Sequence, residues 1–242
     1  MLIKNTVESL ATLRLYGMAE AFERQRASSS LQDLPFEDRF SMLVDAEISR
    51  RESGRMARLL KSARLKVTAA PEDVDFRAER GLDKRKFSAL LSCDWIGTQH
   101  LVVTGPTGVG KTWLTCALGH QAIRKGMPVL YRRFSKLLEE FEVCRADGSL
   151  PKLRAQLAKA RLLILDDWGL TALGARQRQD LFDLIDDCHG TNSLVLTSQL
   201  PIEKGHDYIG DPTIADAVLD RVLHRSHQIE LKGESMRKQS KR

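Results

Sequence analysis

Residues 105 to 112 read Gly-Pro-Thr-Gly-Val-Gly-Lys-Thr, a match to G-x-x-x-x-G-K-[ST]. In such a string the chemistry begins with the backbone. The run Gly105, Pro106, Thr107, Gly108, Val109, Gly110 turns tightly on its glycines, so that backbone N–H groups converge on phosphate oxygens with help from the positive end of a following helix. Lys111 is placed to reach the β and γ phosphates of a nucleoside triphosphate, and Thr112 to ligate Mg2+. A chance glycine-rich turn would lack the flanking context found here, an apolar strand-like run Leu101 to Thr104 before it and a helix-compatible run Trp113 to Ile123 after it.

A second chemical string is Arg161-Leu162-Leu163-Ile164-Leu165-Asp166-Asp167, an apolar run ending in two carboxylates. It predicts acids at the carboxyl end of a strand beside the phosphate loop, with Asp166 holding Mg2+ and Asp167 orienting or deprotonating the attacking water. Leu194-Val195-Leu196-Thr197-Ser198-Gln199 ends a further strand-like run in polar side chains, and either Ser198 or Gln199 could sense the γ-phosphate. Two arginines complete the set, Arg221 in a helix-like run and Arg237 after the last strand, and each could equally be a surface residue.

These groups need a frame to bring them together. Beyond Ala69-Ala70-Pro71-Glu72-Asp73, a linker-like stretch, short apolar runs alternate with longer amphipathic ones, the pattern of a mostly parallel sheet with crossover helices. Strands are expected at 101–104, 129–131, 162–165, 194–197 and 229–231, and helices at 111–125, 134–146, 151–159, 176–188 and 213–224. Before the linker, apolar positions from Val7 to Leu65 recur at helical spacing, which predicts a small helical domain over 1–68 followed by an α/β domain over 69–242.

Composition allows this division and little more. The 242 residues are 42% hydrophobic and 29% charged, ordinary for a folded protein, and 38 Lys+Arg against 32 Asp+Glu give a net charge of +6 that favours polyanionic partners. Cys93, Cys116, Cys144 and Cys188 are too widely spaced for a zinc site or a disulfide framework. No apolar run reaches membrane-spanning length and the start lacks the order of a signal peptide, so a cytoplasmic protein with free thiols is expected.

The ordered strings resemble the AAA+ ATPases of the helicase-loader and initiator clade, and within it the IstB-like transposition helpers. The resemblance spans nearly the whole chain: Leu15-Tyr16-Gly17-Met18-Ala19, Leu165-Asp166-Asp167-Trp168-Gly169, Thr197-Ser198-Gln199-Leu200-Pro201, Asp207-Tyr208-Ile209-Gly210-Asp211-Pro212, and Glu230-Leu231-Lys232-Gly233-Glu234-Ser235-Met236-Arg237. It implies a P-loop AAA+ three-layer sandwich that binds ATP and Mg2+ and forms a homo-oligomer on duplex DNA. It also implies that Arg221 acts as an arginine finger on a neighbouring subunit, that Arg237 acts within its own, and that a cognate transposase is recruited and stimulated. Asp167 stands where this broader group usually has Glu, and the shorter carboxylate is expected to slow hydrolysis so that the ATP-bound assembly persists.

Basic side chains are the candidates for DNA contact. Arg51, Arg55 and Arg58 fall at i, i+4 and i+7, one face of a helix, and Lys136, Arg145, Lys152 and Arg154 follow the second strand, where the clade carries a nucleic-acid-contacting element. Neither group has the pattern of a base reader, so binding is expected to be largely sequence-independent. A DnaC-like replicative helicase loader would share the ATP site and act on single-stranded DNA. A small-molecule P-loop kinase would instead need a substrate lid and no Arg221 from a neighbour.

Overall fold

The protein is described by a computed structural model over residues 2–188 and 190–236, the side chains of residues 2–4 and 32 excepted. The chain divides into two compact units, Met1–Arg58 and Leu59–Arg242. The first holds helices α1 (Leu2–Thr12), α2 (Tyr16–Ala27), α3 (Ser29–Gln32) and most of α4 (Phe36–Ala63). Close approach of α2 to α4 requires Gly17, because a Cβ there would lie 2.6 Å from the Ala46 carbonyl oxygen. The nearly buried Glu47 carboxylate then accepts the free N–H groups of Gly17 at 2.7 Å and Met18 at 3.3 Å, where the positive end of α2 favours a negative charge.

The boundary lies ten residues before the expected one at 68, inside a continuous helix. The reason is burial. The last turns of α4 pack on the core of the second unit through Leu59, Leu60 and the buried Ala63, and Leu65 and Val67 continue that contact.

The second unit is a five-stranded parallel sheet in the order β2-β3-β4-β1-β5, built from β1 (His100–Thr104), β2 (Val129–Arg133), β3 (Leu162–Trp168), β4 (Ser193–Ser198) and β5 (Ser226–Glu230). Alternation along the strands splits the core into two apolar layers. Leu101, Val103, Leu162 and Ile164 face α5 (Lys84–Leu90) and α6 (Lys111–Arg124). Val102, Leu163, Leu165 and Leu196 face α7 (Phe134–Ala146), α8 (Leu150–Ala158), α9 (Ala175–Cys188) and α11 (Pro212–Leu223), with the short α10 (Gly205–Ile209) leading into α11. This is the expected three-layer α/β sandwich.

The edge strand β5 begins at Ser226 rather than 229, since His227 and Gln228 are exposed and give no apolar signal. In the sheet β4 lies between β3 and β1, which carries Thr197 into the centre of the site. No helix among the described residues is long and apolar enough to cross a membrane.

Candidate functional site

At the carboxyl ends of β1, β3 and β4 the loop between β1 and α6 curls over a cleft of about 750 Å3, lined among others by Thr107, Gly108, Gly110, Lys111, Thr112, Asp167 and Gln199. Gly105, Gly108 and Gly110 have φ of +144°, +89° and +94°. A Cβ on Gly105 would lie 2.3 Å from the Leu231 carbonyl oxygen, so the loop and the chain after β5 fit only without a side chain there. The Val109 side chain is buried and anchors the loop, while Thr107 is exposed at its tip.

Lys111 is buried and turns its ammonium back onto the carbonyls of Gly105 at 2.6 Å and Pro106 at 2.8 Å. Burial lowers its pKa, partly offset by the charges of Asp167 and Asp166. A cation held on carbonyl oxygens at the mouth of a ring of N–H groups is suited to a phosphate. The loop and its lysine thus fit a triphosphate.

Asp166 is fully buried, and hydroxyls surround it. Its Oδ1 accepts from Thr112 at 2.8 Å and Thr197 at 2.6 Å, and its Oδ2 from Tyr131 at 2.6 Å. The Tyr131 hydroxyl is held protonated, raised far above its ordinary value by burial and then by the Asp166 carboxylate that it bonds. Thr112 and Asp166 together offer hard oxygen donors of the kind Mg2+ takes.

In a regular strand Asp167 would point to the opposite face from Asp166. Instead the register slips between Leu165 and Trp168, and Asp167 takes φ +62°, a bulge that re-aims its carboxylate into the cleft. Thr197 pins the bulge, its Oγ1 accepting the Asp167 N–H at 3.0 Å. Arg133, at the end of β2, reaches Asp167 Oδ2 at 3.2 Å.

The two residues left open at the end of β4 separate cleanly. Ser198 is buried, donating to the Trp168 carbonyl at 2.9 Å and accepting from the Leu200 N–H at 2.9 Å. Gln199 is exposed in the cleft, its Oε1 accepting from the Thr107 hydroxyl at 2.7 Å. Arg221 lies outside the cleft, on the α9–α11 face, where it pairs with Asp186 at 3.0 Å and stacks 5.1 Å over the Phe182 ring. Arg237 lies outside the described residues. The chain leading to it lies on the loop, with the Met236 N–H donating to the Gly108 carbonyl at 3.0 Å.

The basic candidates also divide. Arg51, Arg55 and Arg58 are exposed on α4, Arg51 paired with Glu47 at 2.6 Å. Lys136 is exposed beside Glu139 at 2.7 Å, and Lys152 is exposed. Arg145 is different: it is only 27% exposed and pairs with the buried Asp180 between α7 and α9. Arg154 is likewise tied to Asp183 at 2.5 Å. Neither pairing is marked in the sequence, because helix-to-helix ion pairs leave no local spacing signal.

Residues outside the sequence motifs complete the cleft. Tyr131 and Thr197 close the apolar runs that mark β2 and β4 in the sequence, so a signal for them is present. Lys66 and Arg80 sit in the connecting segment before β1, where no periodicity marks them. The buried Arg80 guanidinium donates to the Val109 carbonyl at 3.2 Å and the Asp75 carbonyl at 2.9 Å, and burial lowers its pKa.

The chain matches the family model described as IstB-like ATP binding protein over residues 8–242. It is 43% identical to the insertion sequence ATP-binding protein y4pL of Sinorhizobium fredii over 243 residues, 100% of this chain and 99% of that one. It is 48% identical over 207 residues to the IS1162 ATP-binding protein of Pseudomonas fluorescens, covering 85% and 90%. Among solved structures it resembles DnaI, with a TM-score of 0.57 at 19% identity over 67% of this chain and 90% of that one. AMPPCP-bound DnaA from Aquifex aeolicus gives 0.59 at 18% identity, over 72% and 53%, a likeness of fold. Fold, cleft and sequence agree, and the chain belongs to the IstB-like ATP binding protein family, in the AAA+ fold.

Proposed function

We propose that this ATPase belongs to an insertion sequence, assembles on duplex DNA in its ATP-bound state, selects and deforms target DNA there, and recruits and stimulates a transposase. The names of its relatives support the genetic setting. The observation that carries the assembly is the place of Arg221, on a different face from the cleft of its own chain. A guanidinium so placed is out of reach of its own chain's cleft and is available to a neighbour's ATP.

In this reading the backbone N–H groups of residues 107–112 and the Lys111 ammonium hold the β and γ phosphates. Thr112 and Asp166 hold Mg2+, which when bound neutralises phosphate charge and polarises the γ-phosphoryl oxygens. Gln199 orients the attacking water, Asp167 takes its proton as the water oxygen bonds to the γ-phosphorus, and the bond to the β-phosphate oxygen breaks to release ADP. Arg221 of a neighbouring copy meets the charge that develops. DNA phosphates are met by Arg51, Arg55 and Arg58 on α4 and by Lys136 and Lys152, contacts without base-reading geometry.

Mixing variants tests the shared site. Lys111→Ala and Arg221→Ala should each abolish DNA-dependent ATP turnover, and an equimolar mixture should regain part of it, because an intact cleft can meet an intact arginine. A mixture no more active than either parent, or an Arg221→Ala protein with wild-type turnover, would contradict the reading.

A further inference from the structure

The Asp166 carboxylate has no exposure to solvent, and three of its partners, Thr112, Thr197 and Tyr131, are neutral hydroxyls. A buried carboxylate needs a compensating cation. Lys111 is turned to the Gly105 and Pro106 carbonyls, and Arg133 to Asp167. Lys66 pairs with it instead, its Nζ 3.5 Å from Asp166 Oδ2.

Local structure delivers Lys66 to this point. The residue after α4, Arg64, takes φ +52° and turns the chain out of the helix, and the N–H groups of Lys66 and Val67 then meet the Cys116 sulfur on α6. From there the side chain crosses the cleft wall to the end of β3. Its side chain is 45% exposed, so it can withdraw into water, whereas Tyr131 and Thr197 are buried and fixed.

We propose that the Lys66 ammonium is a built-in counter-cation for Asp166 that holds the place of the divalent metal and must be displaced when the metal enters. This rests on the nucleotide-site reading above and adds a residue to it. Two consequences follow from charge alone. Without metal, Lys66 keeps Asp166 from repelling an incoming triphosphate, so metal-free nucleotide can bind. With metal, Lys66 competes for Asp166, so the cation binds less tightly than the oxygen donors would allow.

The test measures binding, not turnover. Mn2+ affinity is read by electron paramagnetic resonance in the presence of a non-hydrolysable ATP analogue, and metal-free affinity with a fluorescent ATP analogue in EDTA. Lys66→Ala should tighten Mn2+ binding about tenfold and weaken metal-free nucleotide binding several-fold, the loss being less than that of a fully buried pair because Lys66 is half exposed. Lys66→Arg should behave as wild type and shows that charge, not folding, is responsible. Unchanged affinities in Lys66→Ala, or weaker Mn2+ binding, would overturn the assignment. Lys111→Ala serves as the separate check on the cleft: if it binds the fluorescent analogue as well as wild type, the nucleotide-site reading fails first.

Discussion

The Thr107 hydroxyl donates to Gln199 Oε1 at 2.7 Å, tying the tip of the phosphate loop to the carboxyl end of β4. One residue earlier, Ser198 is spent on the Trp168 carbonyl and the Leu200 N–H. The adjacent polar residues therefore have separable roles. Gln199→Ala should lower ATP turnover about a hundredfold with little change in melting temperature. Ser198→Ala should leave turnover nearly intact and cost about 1–2 kcal/mol of stability, measured by denaturant unfolding.

Arg133 occupies Asp167 Oδ2, the carboxylate face that a water would use. Arg133→Ala should raise turnover of the DNA-free protein about three- to tenfold, while Asp167→Asn should abolish turnover and retain nucleotide binding. Asp167→Glu should hydrolyse faster and shorten the lifetime of the ATP-bound assembly. Steady-state phosphate release and the decay of assembly size by light scattering check the three variants together.

Arg145 and Lys152 are both basic residues beyond β2, yet Arg145 is tied to a buried carboxylate and Lys152 is exposed. Removing Arg145 leaves the buried Asp180 without its cation, so Arg145→Ala should destabilise the second unit by about 3 kcal/mol. Lys152→Ala should leave stability unchanged and reduce the salt slope of DNA binding by about one unit. Unfolding curves and salt titrations of DNA affinity separate the two effects.

In the helical unit, burial pushes the Glu47 carboxyl up, but hydrogen bonds from Arg51, Gly17 and Met18 outweigh it and hold the group below its ordinary value of 4.5. A carboxyl depressed in the folded state contributes stability above its unfolded pKa and loses it as the pH falls through the folded one. The first unit of the wild type should therefore loosen as the pH drops below 4.5, and Glu47→Gln should remove that dependence while lowering stability at neutral pH. Helical circular dichroism against pH reads both.

Much of this arrangement is written in local sequence. Strand β1, the glycines and Lys111 announce themselves because the phosphate loop is one contiguous string. Helices α6 and α7 fall within a residue or so of expectation because their apolar faces are periodic. What sequence spacing misses is set by tertiary contact. The bulge at Asp167 depends on Thr197 thirty residues away, and the fate of Arg145 depends on Asp180 on another helix. Lys66 lies in a segment with no period at all, and only the turn at Arg64 brings it to Asp166. The division after Arg58 rather than at 68/69 has a related cause: α4 runs across it as one helix and so gives one uninterrupted pattern.

The most direct test of the central claim is the size of the protein in solution with duplex DNA, measured by light scattering after size exclusion with ATP, with ADP and without nucleotide. The account predicts a large assembly only when ATP and DNA are both present, lost in Lys111→Ala and in Arg221→Ala. An assembly size that does not respond to ATP and DNA together would contradict it.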